Sequence, residues 1–143
     1  MVSKEEEERK KREQRERAMK EQRKGQIANE IDAWQQEIDN LFYSNLAYEN
    51  MRTKINEALP KLTSARQNVK SSQVGLKGTY TSQEATKQEA KFQEIIQEIS
   101  GVIENLNNPI MTEITRKINS NNQEIMARQS RIRQLQGELY SLG

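Results

Sequence analysis

The 143-residue chain contains neither cysteine nor histidine. That excludes disulfides, thiolate and imidazole metal sites, and the nucleophile–base pairs that depend on either residue. Aromatic residues make up 5% of the chain, and glycine and proline number only 6 and 2. Few strand formers and few chain breakers point to long helices. No stretch approaches the ~20 consecutive apolar residues that span a bilayer. No apolar segment follows the charged N-terminal residues either, so neither a membrane span nor a cleavable secretory leader is expected. Gly-rich phosphate loops, H-E-x-x-H, EF-hand loops and G-x-S-x-G are all missing from the sequence. The many carboxylates fall at exposed helical spacing and read as solubilising groups. No catalytic residue, cofactor or metal is therefore expected, and the chain reads as a binding protein, not an enzyme.

What is present is charge and periodicity. Charged residues make up 31% of the chain and hydrophobic ones 33%. That is little apolar material for a compact globule to offset chain entropy, but enough for helices that each bury one narrow stripe. The formal net charge is +2, divided as ten Lys/Arg to seven Asp/Glu over residues 1–24 and thirteen to fourteen over the remainder. With no concentrated basic face in the body, nucleic acid is not an expected partner. Residues 1–24 place Glu four positions before Lys or Arg, as in Glu5–Arg9, Glu6–Lys10, Glu7–Lys11 and Glu8–Arg12. Each such pair adds about 0.2–0.5 kcal/mol of helix bias. A charged N-terminal extension, frayed or helical, is expected over 1–24, and a helical hairpin over 25–143.

From Ile27 the pattern changes. Ile27, Ile31, Trp34, Ile38, Leu41, Tyr48, Ile55, Leu59, Leu62 and Val69 recur in steps of three and four, which puts them on one helix face. Asn45, Arg52 and Arg66 fall in slots of this seam, and Leu46, Met51 and Ala65 beside them are expected to carry the stripe past them. Pro60 should kink the helix. Residues 71–80 (SSQVGLKGTY) hold two glycines and no period. The reading is helix one at about 26–72, a turn at about 73–81 and helix two at about 82–141. Thr81-Ser82-Gln83-Glu84 fits a capping box, in which the Thr81 hydroxyl and the Glu84 carboxylate satisfy orphan amides reciprocally.

Helix two has its own seam: Ala85, Phe92, Ile96, Ile99, Ile103, Leu106, Ile110, Ile114, Ile118, Ile125, Ile132, Leu135 and Leu139. Its steps of four, four and four between Leu106 and Ile118 read as a stutter that unwinds a supercoil locally. Pro109 marks a kink or brief break there. The expected fold is all-α, a long antiparallel two-helix hairpin of coiled-coil character.

Such a hairpin covers one stripe per helix, and here the stripe is locally wider. Leu41, Phe42 and Tyr43 fan over about 200°. Ile95–Ile96 and Val102–Ile103 repeat an apolar doublet seven residues apart. These side chains either thicken the hairpin core or meet a partner helix. Folding back about the turn sets Trp34, the one tryptophan, near Asn119–Asn122, where its indole either hydrogen-bonds or points at another chain. Asn121 falls in a seam slot, where an Asn typically fixes register. The partner-facing candidates are thus Trp34, Phe42, Tyr43, Ile95, Ile96, Val102 and Ile103.

Leu76-Lys77-Gly78 sits in the turn, where small helical hairpins of the WXG group carry Trp-x-Gly. Around it run Lys54-Ile55 and Leu62 before the turn, Phe92 with Ile95/Ile96 after it, then Arg116-Lys117-Ile118 and Ile132–Leu139. In this order of features the chain resembles the YwqH-like relatives of that group over roughly two-thirds of its length. The resemblance implies a targeting factor or chaperone for an LXG-domain toxin of a Gram-positive type VII secretion system. Such a factor binds the toxin's helical N-terminal domain, with a second small helical protein as a further partner. It also implies a cytoplasmic location, with export alongside the partner as an option. Members of such systems carry a Tyr- or Phe-x-x-x-Asp/Glu signal. Tyr140 has no room for one, and Tyr80 to Glu84 has the spacing but lies at the turn, so the partner is expected to supply the signal. The alternative is a self-assembling coiled-coil scaffold or adaptor unrelated to secretion.

Overall fold

The computed structural model describes residues 3–76 and 82–143. Its elements are α1 (Lys4–Leu76, 73 residues), α2 (Ser82–Asn105, 24 residues), a π-helical segment (Leu106–Ile110) and α3 (Met111–Ser141, 31 residues). No strand occurs among the described residues. The fold is an all-α helical hairpin: α1 is one arm, and α2, the π segment and α3 form the returning arm. α1 extends past the expected end near residue 72 to Leu76 and runs through Pro60 without a break. Leu76 closes α1, whereas Gly78 of the expected turn motif and Thr81 of the expected cap lie outside the described residues. Glu84 stands in the first turn of α2, where its charge complements the helix N-terminus.

Ser3–Gln22 is exposed along its whole length, helical from Lys4 onward, and burial in α1 begins at Arg23. From there the buried and half-buried positions fall in alternating steps of four and three, which define inner slots a (Ile31, Ile38, Asn45, Arg52, Leu59, Arg66) and d (Ile27, Trp34, Leu41, Tyr48, Ile55, Leu62, Val69). Asn45 is 7% exposed, whereas Leu46 and Met51 are 53% and 47% exposed, and Ala65 is exposed as well. The expectation that these apolar neighbours carry the stripe is therefore corrected. The register is set by the whole periodic run, so a lone polar residue stays in its inner slot.

The structure divides into two compact units, Met1–Ser44 with Ser120–Gly143, and Asn45–Asn119. In the first, Ile38, Ile125 and Ile132 form a buried cluster with Ile31, Trp34 and Leu41 packed against it. Ile27 and Leu135 are fully buried. Burying an isoleucine or leucine side chain stabilises by about 1.5–3 kcal/mol, so a narrow core suffices. Antiparallel pairing is fixed by cross-arm contacts. The Arg23 guanidinium donates to both Glu138 carboxylate oxygens at 2.8 and 3.0 Å, Arg131 pairs with Glu30 at 3.8 Å, and Arg128 Nε donates to Glu37 at 2.7 Å. Asn121 Nδ2 donates to Ser44 Oγ at 3.1 Å.

In the second unit, Tyr48, Ile55, Leu59, Leu62 and Val69 line the inner side of α1, and Phe92, Ile96, Ile99, Ile103, Leu106, Met111, Ile114 and Ile118 that of the return arm. Arg66 Nη1 donates to Ser100 Oγ at 3.2 Å, so this unit is also antiparallel. The seam steps from Leu106 to Met111, five residues on, and the Met111 amide reaches back to the Leu106 carbonyl. The stutter expected here is instead a single extra residue taken up by one wide turn. Pro109 lies inside that turn, and Ile110 is displaced from the seam to 40% exposure.

Candidate partner-binding surface

Two flanks border the seam of an antiparallel helix pair, and one of them is occupied by the residue just before each a slot. In the first unit these residues are Arg23, Glu30, Glu37 and Ser44 on α1 and, before the seam residues Ile125, Ile132 and Leu139, Glu124, Arg131 and Glu138 on α3. This flank is zipped by the ion pairs Arg23–Glu138 and Arg131–Glu30, with Arg128 reaching Glu37. The Arg23 hydrogen bond holds the Glu138 carboxyl below its ordinary range, and Glu138 in turn raises Arg23.

In the second unit, apart from Lys117 before Ile118, the same positions are Met51, Ala58 and Ala65 on α1 and Ile95, Val102 and Ile110 on the return arm, the last three preceding the seam residues Ile96, Ile103 and Met111. All six are apolar. The doublets noted in the sequence are split by the fold. Ile96 is 7% exposed and Ile103 half-buried in the seam, while Ile95 and Val102 stand outward at 43% and 47% exposure. An isoleucine or valine on a helix face that meets nothing leaves apolar surface in water at about 25 cal/mol per Å². Contiguous apolar patches of this kind mark interaction sites. Ile95 and Val102 were legible from the doublets. Met51, Ala58, Ala65 and Ile110 were not, although the rule that finds them is simple: the residue before each a slot, counted across the wide turn.

The remaining candidates stand elsewhere. Phe42 and Tyr43 are 53% and 73% exposed, so neither thickens the core, and both belong to the first unit. Trp34 is half-buried against the Ile38–Ile125–Ile132 cluster. Its ring lies 5.8 Å under the Arg128 guanidinium, a cation–π contact, rather than at Asn119–Asn122. The displacement follows from the register: Glu37 pairs with Arg128 and Ser44 with Asn121, whereas folding about residue 76 would set them against residues 115 and 108, so the return arm is met thirteen residues later.

The second unit also carries polar groups inside its seam. Asn45 is buried, Arg66 bonds Ser100, and Arg52 Nε is buried with no acceptor. Among the described residues no group of three or more Asp or Glu side chains is placed to hold a metal ion, and no helix is long and apolar enough to cross a membrane. Compared with protein-family models, with curated proteins and with solved structures, the chain has no match in any of the three.

Proposed function

We propose that the chain is a non-catalytic helical partner protein, which holds another protein by packing a helix of that protein along the apolar flank of Asn45–Asn119. The observation that carries this reading is the splitting of both doublets. Ile96 and Ile103 complete the hairpin's own seam, so Ile95 and Val102 are surplus to it. A partner helix with an apolar stripe offers them the burial that the hairpin does not. The interleaved charges of Lys4–Gln22 supply solubility without adding a sticky face.

The finer reading is that the partner is the helical N-terminal domain of an LXG toxin. The chain then acts in the cytoplasm as targeting factor or chaperone for type VII secretion, a second small helical protein joining the complex and the partner supplying the export signal. Support comes from the resemblance carried by Leu76-Lys77-Gly78, Lys54-Ile55, Phe92, Arg116-Lys117-Ile118 and Ile132–Leu139, together with a hairpin whose first long helix ends at Leu76. Co-expression with an LXG N-terminal domain from the same genomic neighbourhood tests it. A single complex on size exclusion is expected, and separate elution of the two chains would remove the LXG reading.

A further inference from the structure

The apolar flank of Asn45–Asn119 has two textures. α1 contributes Met51 and the small Ala58 and Ala65, while the return arm contributes Ile95, Val102 and Ile110 at 40–47% exposure. A low row of alanines beside a row of branched side chains is a trough, and a third helix can seat apolar knobs in it as facing helices do in coiled coils. The two edges of the trough differ in charge. Three residues beyond each flank position lies the next outward neighbour on the same helix face. On α1 these neighbours are Lys54, Lys61 and Asn68, while on the return arm they are Glu98, Asn105 and Glu113. All are exposed, and among the described residues neither Lys54 nor Lys61 forms an ion pair. The Glu113 carboxylate beyond Ile110 is already taken by Arg116.

We infer that this trough takes one amphipathic helix of another protein, oriented so that an acidic edge, with Asp or Glu seven residues apart, lies along Lys54 and Lys61. The inference rests on the partner-protein reading and adds to it the place, the orientation and the chemistry of the bound helix. A second copy of this chain fits less well. It would bring the same two lysines to the interface, and on its other edge Asn105 follows Glu98 and Glu113 is held by Arg116, so it does not offer two carboxylates seven residues apart. The apolar rows supply affinity, and the lysines decide which edge of the incoming helix faces α1.

Two synthetic helical peptides with an identical leucine stripe, one edged with Glu and one with Lys, test this by calorimetry against the full chain. The Glu-edged peptide is expected to bind about fivefold more tightly, as two exposed charge pairs allow. Lys54→Glu with Lys61→Glu should reverse that order. Val102→Glu should weaken both peptides by about tenfold or more, with helicity by circular dichroism unchanged. Equal binding of the two peptides, or indifference to Val102→Glu, would overturn the inference. So would self-association of the chain that Val102→Glu abolishes, because the trough would then belong to a second copy. If a toxin domain fails to bind while the Glu-edged peptide binds, the LXG reading falls and the trough stands. If a toxin domain binds wild type and Val102→Glu alike, the trough falls and the reading stands.

Discussion

Arg52 holds an inner slot of the seam although its guanidinium Nε is buried without an acceptor. A buried donor left unpaired costs about 1–3 kcal/mol. Arg52→Met keeps the length of the side chain and removes the donor, and it is expected to stabilise the chain by about 1–2 kcal/mol. The check is a higher urea midpoint at unchanged slope. A reading by hydrophobicity passes over Arg52 in favour of Met51, yet Met51 is the one left 47% exposed. Position in a long periodic run outweighs the character of a single residue, because moving one side chain into the seam would rotate all the others out. Trp34 teaches the complementary lesson. Its burial follows from its slot, but its companion Arg128 is set by the register between two arms, which periodicity within one arm does not contain.

The helices themselves were legible because each repeats one pattern over many turns. The all-α class and the return of the second arm follow from apolar residues at three- and four-residue steps, with glycines between the arms. The π segment was not legible as such. Leu106, Ile110, Ile114 and Ile118 offer a run of equal steps, and the alternative, Leu106 to Met111 and then Ile114, needs a backbone bond that residue types do not announce. Pro109 gives the physical reason for the wide turn. Proline has no amide to donate, and its ring crowds the carbonyl four residues back, so a local widening relieves both. Deleting Pro109 removes the extra residue and the ring together, and Leu106 to Met111 then becomes an ordinary four-residue step. Thermal melts should show the deletion stabilising by about 1–2 kcal/mol. Deletion of Gln123, inside α3, lacks any wide turn to absorb it. It should swing Ile125, Ile132 and Leu135 about 100° from the seam and melt the hairpin.

Across the whole molecule the charges are near balance and no histidine is present, so no ordinary side chain gains or loses charge between pH 5 and 8. The carboxyls that fold into ion pairs behave differently. Arg23 holds Glu138, and Arg116 holds Glu113, below the ordinary value of 4.5. A carboxyl depressed in the folded chain contributes its full stabilisation above the unfolded value and loses it as pH falls through the folded one. The thermal midpoint is therefore expected to be flat from pH 5 to 8 and to decline below about 4.5. Glu138→Gln should flatten part of that decline, and added salt should shrink it, because both pairs are exposed to solvent. The lone indole has a use beyond packing. Trp34 lies in one of the two units and no tryptophan lies in the other, so tryptophan emission, excited where the tyrosines do not absorb, is a built-in gauge of Met1–Ser44 with Ser120–Gly143. Circular dichroism sums the entire chain, and any gap between the two optical traces is a direct reading of whether the halves of this molecule come apart in a single event or in sequence.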